Sequence, residues 1–263
     1  VFEQTLGDAV PAHLRLVDAA LLRHTGKGLP LDCAPVRFGS WMGGDRDGNP
    51  FVTADVTRRA VALGRWMAAD LYFKEIDALR AELSLSVAGP TLRAALGEHA
   101  GVDEPYRAFL RGLRDQLAAL KVREKRVVDN EAVEGCAPID AAGLEAALLV
   151  VWRSLHETGA AEIAQGRLLD LLRRVRCFGL TLVRLDIRQD AARHAAAMSA
   201  VTQALGLGDY RAWSEDERVA FLSRELAARR PLIPRQLDAY EPDSQDAGRD
   251  VKEVLATFAV LAE

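Results

Sequence analysis

The sequence predicts a mainly α-helical chain carrying two short strands suited to a β/α barrel, and three observations lead there. Apolar residues recur at every third or fourth position through most of the 263 residues, in a chain that is 49% hydrophobic but only 6% aromatic, a balance that favours helix over sheet. Two segments, 36–41 and 180–190, replace that period with alternation and read as strands. The second of them carries Thr181, Val183, Leu185 and Ile187 on one face and Leu182, Arg184, Asp186 and Arg188 on the other, since successive side chains of a strand point to opposite sides. A strand that is apolar on one side and Arg-Asp-Arg on the other needs helices over the first face and a polar interior or a ligand beyond the second. A β/α barrel supplies both, and its inward residue nearest the carboxyl end of a strand points at the active-site mouth. That residue is Arg188, with Asp186 one pleat below able to orient Arg188 or Arg184. A structural Arg-Asp pair on a half-exposed strand satisfies the same pattern.

The elements follow in order. Leu6, Val10, Leu14, Val17 and Leu21 form a helical stripe, interrupted by Pro11 at an expected turn and ended by Gly26 and Gly28. Residues 36–52 read as the first strand and a glycine loop. Thr53 is a plausible N-cap with Asp55 in the first turn, opening a long amphipathic helix through Val56, Ala60, Leu63, Met67 and Leu71 toward Leu83, with Trp66, Tyr72 and Phe73 as packing residues. Helices are expected over 91–98 and 104–122 after Gly89-Pro90, and a loop or insertion over 123–143, where charges, Gly135 and Pro138 gather. Helices over 144–157 and 160–176 complete a helical region spanning 53–176, the last burying Ile163, Leu168, Leu172 and Val175. After the second strand, 191–263 is again helical. One helix stops at Gly206, Ser214 and Glu217 form a capping box before Phe221, Leu222 and Leu226, Pro231 and Pro234 end that helix, and Val251, Val254, Leu255 and Phe258 mark the last one.

Composition excludes several classes. A net charge of -4 with Lys and Arg mixed among the acids lacks the clustered basic face of a nucleic-acid surface. No apolar run reaches the length of a membrane span. Cys33, Cys136 and Cys177 are widely separated, odd in number and free of metal-ligand spacing, which suits reduced thiols in a cytoplasmic protein. His13, His24, His99, His156 and His194 fall in helical contexts, His194 as a packing or capping partner.

The segment from Arg37 to Thr53 stands apart. It crowds Gly39, Gly43, Gly44, Gly48 and Asn49-Pro50 together with Trp41 and the succession Asp45, Arg46, Asp47. Glycines admit positive φ and close approach of backbone to a ligand, while three adjacent charges cannot be buried without partners. A solvated turn is the plainer alternative. A calcium loop is a further one, because Asp45, Asp47 and Asn49 occupy alternate positions, but Pro50 stands where that loop needs glycine and Val56 where it needs glutamate.

Phe38-Gly39-Ser40-Trp41-Met42-Gly43-Gly44-Asp45-Arg46-Asp47-Gly48-Asn49-Pro50 resembles the signature of the phosphoenolpyruvate carboxylase family. Phe178 through Asp190 followed by Arg193-His194, and Leu205 through Tyr210 with Trp213-Ser214-Glu215 and Arg230-Pro231-Leu232, are similar to later segments of that family in the same order. The resemblance covers nearly the whole chain. It implies carboxylation of phosphoenolpyruvate by bicarbonate to oxaloacetate and phosphate in a TIM-like barrel, assisted by Mg²⁺ or Mn²⁺ and carried out by a homotetramer. Residue by residue, it implies that Arg188 binds the phosphate-bearing substrate and that Trp41 belongs to a hydrophobic pocket. Asp45, Arg46, Asp47 and Asn49 either hold the loop closed or touch substrate. Glu225 and Arg230 match positions of subunit contact, with a surface ion pair as the plainer reading.

The family's metal-binding carboxylates, catalytic lysine, essential histidine motif and glycine-rich arginine loop have no counterpart in this chain. It opens at Val1 and stops within a helical pattern at Glu263, so the expectation is an internal fragment of one large domain. Such a piece contributes the first two of eight barrel strands, depends on the remainder of the parent chain, binds no metal alone and is inactive alone. A non-catalytic helical scaffold or regulatory module derived from the enzyme is the other reading.

Overall fold

The computed structural model describes residues 5–47, 49–229, 232 and 245–262. The chain divides into two compact units, one of residues 1–40 and 61–184 and one of residues 41–60 and 185–263. The described residues are mainly helical, as the sequence predicts.

The first unit contains α1 (Gly7–Thr25), β1 (Gly39–Ser40), most of α2 (Ala54–Glu82), α3 (Pro90–Leu96), α4 (Pro105–Val128), α5 (Ala141–Glu157), α6 (Ala161–Ala164) and α7 (Arg167–Phe178). Its core is built from leucines at helical spacing: Leu110, Leu117 and Leu120 of α4, Leu144 and Leu148 of α5, and Leu168 and Leu172 of α7 are all fully buried. Each such side chain stabilises the fold by roughly 1.5–3 kcal/mol relative to exposure. Tyr72 is buried among them and donates its hydroxyl to the Gly179 carbonyl at 2.8 Å. Burial drives its pKa upward, so the hydroxyl stays protonated and keeps that bond.

Pro11 makes no turn; it lies inside α1. A proline lacks the N–H that would bond to the carbonyl four residues back, and here Arg174 Nε donates to that Gly7 carbonyl at 2.6 Å instead. Helix α4 likewise runs on to Val128, into the segment expected to be a loop. The charges there lie on helix faces: Glu124 is 2% exposed and pairs with Arg65 at 3.3 Å and Arg123 at 3.2 Å. The expected helix over 160–176 is two helices, because the chain breaks at Gln165-Gly166. The break removes Ile163 from the apolar stripe, and it is 45% exposed.

The strands are much shorter than their alternation suggests. β1 pairs with β2 (Arg184–Leu185), the Arg184 N–H donating to the Phe38 carbonyl at 3.1 Å. Residues 180–183 form a turn, with Leu182 at φ 60 and the Val183 N–H bonded to the Thr181 carbonyl at 2.7 Å. Leu180 and Leu182 are both buried there, which the alternating pattern placed on the polar side. From Arg184 onward the alternation holds: Leu185 and Ile187 are half-buried, while Arg184, Asp186 and Arg188 are exposed.

The second unit holds residues 41–60 with the first turns of α2, then α8 (Ala191–Ala204), α9 (Glu215–Ala227) and α10 (Gln245–Ala262). Its core is small: Ala197 and Val201 of α8 meet Val251, Val254 and Leu255 of α10. His194 packs its ring 5.7 Å from that of Phe258. The helix starts are set by side chains: Thr53 Oγ1 accepts the Val56 N–H at 3.3 Å, Asp190 accepts the Ala192 N–H at 2.6 Å, and Ser214 and Glu217 close a reciprocal capping box. Phe221 is buried on α9, whereas Leu226 is 87% exposed. Pro231 and Pro234 lie outside the described residues.

Candidate functional site

The glycine loop is folded against the segment that follows β2. The N–H groups of Gly44 and Asp45 both donate to the Trp41 carbonyl, at 2.9 and 3.0 Å, and close a turn. Gly43 sits at φ 85, where a Cβ would also fall 2.7 Å from that of Ala60. Gly44 passes so close to the neighbouring strand that a Cβ would stand 2.3 Å from the Asp186 carbonyl oxygen. This approach lets Arg188 N–H donate to the Gly44 carbonyl and Arg46 N–H to the Arg188 carbonyl, each at 3.0 Å. The two bonds make a parallel bridge between Asp45 and Arg188.

Alternation of charge in the loop separates two arginine fates. Arg46 is 2% exposed. Its Nη1 donates to the Gly44 carbonyl at 3.0 Å, and its Nη2 donates to Thr57 Oγ1 at 2.5 Å and to the Thr53 carbonyl at 3.4 Å. Thr57 in turn donates to the Gly43 carbonyl at 2.7 Å. Burial lowers the Arg46 pKa, partly offset by the charge of Glu253, whose carboxylate also accepts the Ala54 N–H. Arg46 is thus the internal brace of the loop. Asp45 Oδ1 accepts the Asp47 N–H at 3.0 Å, and Asn49 Oδ1 accepts the Phe51 N–H at 3.1 Å.

Arg188 has the opposite setting. Its side chain is 56% exposed, its Nε donates to Asp186 Oδ2 at 2.9 Å, and its guanidinium carbon lies 5.9 Å from the centre of the Trp41 ring. Neither terminal nitrogen of Arg188 bonds to another group among the described residues. Trp41, Met42 and Phe51 are all exposed, at 61%, 78% and 83%. The arrangement is a permanent cation held at one nitrogen, steadied over an aromatic face, and open at the two nitrogens that can grip an oxyanion in bidentate fashion.

The structure therefore brings Trp41, Asp45, Arg46, Asp186 and Arg188 together. Asp47 and Asn49 are exposed and bond within the loop. Glu225 lies on α9, where Arg224 Nε donates to it at 3.3 Å, and Arg230 lies outside the described residues. Sequence reasoning missed Thr57, Glu253 and Gln189. Thr57 follows Thr53 by one helical turn, a spacing that could have revealed a second hydroxyl facing the loop. Glu253 is far away in sequence and left no signal. Gln189 accepts the Asp190 N–H at 3.0 Å through its carbonyl oxygen, and its buried amide nitrogen has no partner among the described residues.

Among the described residues there is no group of three or more His, Cys, Asp or Glu side chains able to hold a metal ion. No helix among the described residues is long and apolar enough to cross a membrane.

The family model described as phosphoenolpyruvate carboxylase matches residues 1–263. Among curated relatives, the chain is 51% identical over 263 residues to a phosphoenolpyruvate carboxylase of Pseudomonas putida and 50% identical over 263 residues to one of Ectopseudomonas mendocina. It is 50% identical over 269 aligned residues to one of Marinobacter nauticus. All of this chain is covered in each comparison, and it spans 29% of the length of each relative.

Proposed function

The chain belongs to the phosphoenolpyruvate carboxylase family, and from that premise we propose that it is a segment of a cytoplasmic enzyme that carboxylates phosphoenolpyruvate with bicarbonate, giving oxaloacetate and phosphate. In this reading bicarbonate attacks the phosphoryl group, forming carboxyphosphate and the enolate of pyruvate. Carbon dioxide released from carboxyphosphate is then captured by the enolate carbon.

The observation that carries the site assignment is the open, tethered guanidinium of Arg188 above Trp41. Phosphoryl transfer between two anions demands a fixed cation on the transferring oxygens, and a planar guanidinium with two free nitrogens meets that demand better than a flexible ammonium. Asp186 orients it through Nε and leaves the other edge available. The enolate must meet carbon dioxide before it meets a proton, which calls for a water-poor wall. Trp41 supplies such a wall beside the cation. Arg46, with Asp45, Asp47 and Asn49 around it, holds the loop that carries Trp41 and does not reach substrate, in keeping with its burial.

The segments that contain β1 and β2 belong to the first two strands of a TIM-like barrel in the parent chain, a reading favoured by the parallel sense of the Asp45–Arg188 bridge, since consecutive barrel strands are parallel. In this reading the Mg²⁺ or Mn²⁺ of the complete enzyme is held by residues of the parent chain outside this segment. Without them and the remaining strands the segment alone is inactive. Glu225 and Arg230 take part in subunit contacts of a homotetramer.

The test is oxaloacetate formation by the full-length parent protein carrying Arg188→Ala. The expected loss in kcat/KM corresponds to about 3 kcal/mol or more, the scale of one preorganised contact to a developing charge. Near-normal kinetics with Arg188→Ala would leave Arg188 as one half of a structural ion pair and sink the site assignment.

A further inference from the structure

The first unit contains two arginine-walled cavities that differ in charge. In one, of about 280 Å³, Arg15, Arg167 and Arg174 face Asp170, Glu82 and Glu75. Every guanidinium there is paired: Arg15 with Asp170 at 2.8 Å, Arg167 with Glu82 at 2.7 Å, and Arg174 with Glu75 at 2.9 Å. That cavity is neutral and has no acceptor missing.

The other, of about 420 Å³, is walled by Arg37, Arg65, Arg176 and Arg184, with Asp140 the one carboxylate among its lining residues. Asp140 is already committed, accepting the Gly143 N–H at 2.7 Å as the N-cap of α5. Behind the wall, Glu145 accepts from Arg176 through Nε at 2.8 Å and Nη2 at 2.7 Å, and Glu124 pairs with Arg65 at 3.3 Å. No carboxylate pairs with Arg37 or Arg184 among the described residues. The Arg176 side chain is 8% exposed, yet its Nη1 is buried without a hydrogen-bond partner among the described residues. A buried charged donor left without an acceptor costs on the order of 1–3 kcal/mol or more, so it marks a place where an acceptor belongs. The rest of the wall is apolar: the rings of Phe38 and Phe178 stack 5.4 Å apart, beside Leu180 and Leu182.

We propose that this cavity is a binding site for a small organic carboxylate with an apolar body. The carboxylate meets Arg176 and the unpaired Arg37 and Arg184, and the body lies on the Phe38–Phe178 ledge. The volume suits such a ligand, since small-molecule clefts run from roughly 300 to 1,000 Å³. The apolar ledge selects an organic carboxylate over inorganic phosphate, which has no apolar body to lay on the Phe38 and Phe178 rings. The site shares no residue with Trp41, Asp186 and Arg188, so it does not depend on the reading of the catalytic segment.

The experiment is calorimetric titration of the full-length parent protein with phenylacetate, its neutral analogue phenylacetamide, and inorganic phosphate. Phenylacetate is expected to bind at one site per chain, with phenylacetamide and phosphate each weaker by about tenfold or more, a difference of roughly 1.4 kcal/mol. Arg176→Lys keeps the charge beside Glu145 but removes the spare donor, and is expected to weaken phenylacetate by about tenfold. Arg37→Met alters an exposed, unpaired side chain, so the protein should melt as the wild type does while binding weakens in the same direction. No phenylacetate binding by the wild-type protein, equal binding of phenylacetamide, tighter binding of phosphate, or unchanged affinity in both variants would each overturn the proposal.

Discussion

The leucine core of the first unit and the glycine loop of the second solve opposite problems. In the core, Leu117, Leu144 and Leu148 are fully buried, and what holds them is non-directional. In the loop the buried group is a guanidinium: Arg46 bonds to Gly44, Thr53 and Thr57, while the apolar side chains Trp41, Met42 and Phe51 are exposed. Stability is concentrated where the sequence is apolar and periodic. Chemistry is offered where the sequence is irregular and the apolar residues are outside, so damage to the two regions should have separable consequences.

The largest expected effect on stability is in the core. Leu117→Ala removes a side chain with no exposed surface and leaves a cavity, which costs about 2–5 kcal/mol. In the full-length parent, hydrogen exchange of the α4 and α5 amides should accelerate accordingly, while kcat/KM for oxaloacetate formation by the folded fraction stays near that of the wild type. A parallel collapse of kcat/KM would mean that core and site are one cooperative element.

The reverse pattern is expected of Arg46→Met. It strips hydrogen-bond donors from the Gly44 carbonyl and from Thr57, at a cost of roughly 1–3 kcal/mol for buried acceptors left unmade. The loss is local. Amides of Gly44, Arg46 and Arg188 should exchange faster, those of α4 should not, and kcat/KM should fall because the loop no longer holds Trp41 beside Arg188. If Arg46→Met speeds exchange nowhere and leaves kinetics intact, the brace has no function.

The same division decides how much could be read from the sequence. Helices with a sustained apolar period were legible, and so were the caps Thr53 and Ser214, because each acts on an N–H group three residues away. Extents were less so. The charged residues after Lys121 resemble a loop in composition, yet Glu124 is buried between Arg65 and Arg123, a partnership that a one-dimensional reading does not reveal. The second strand misled in its first half for a related reason: Leu182 enters the left-handed region, and a turn there buries Leu180 and Leu182 on what alternation makes the polar side. At the site, the irregular motif marked a segment that the fold brings against Asp186 and Arg188. Which arginine is brace and which is open, Arg46 or Arg188, depends on contacts from Thr57 and Asp186 that only the folded chain supplies.

The smallest expected effect is an electrostatic one in the first unit. Asp70 on α2 is partly buried, which by itself would raise its pKa, but hydrogen bonds and charge from Lys121 and Lys74 outweigh this and hold it below the ordinary carboxylate range. A carboxyl whose folded pKa is depressed contributes stability above its unfolded pKa and loses it as pH falls through the folded value. The contribution should therefore be complete at neutral pH and fade on acidification below about pH 4, the ordinary aspartate value. Replacement by Asn removes the titrating group, so Asp70→Asn should open α2 and α4 more readily at pH 7 by about 1 kcal/mol, the upper end for a partly exposed pair, and the difference from the wild type should vanish toward pH 3. Salt should shrink it as well, since the lysines are partly solvated. A wild-type-to-variant difference that is constant from pH 7 to pH 3 would show that Asp70 acts through packing, and the boundary between apolar and ionic stabilisation drawn for this unit would move to include α2.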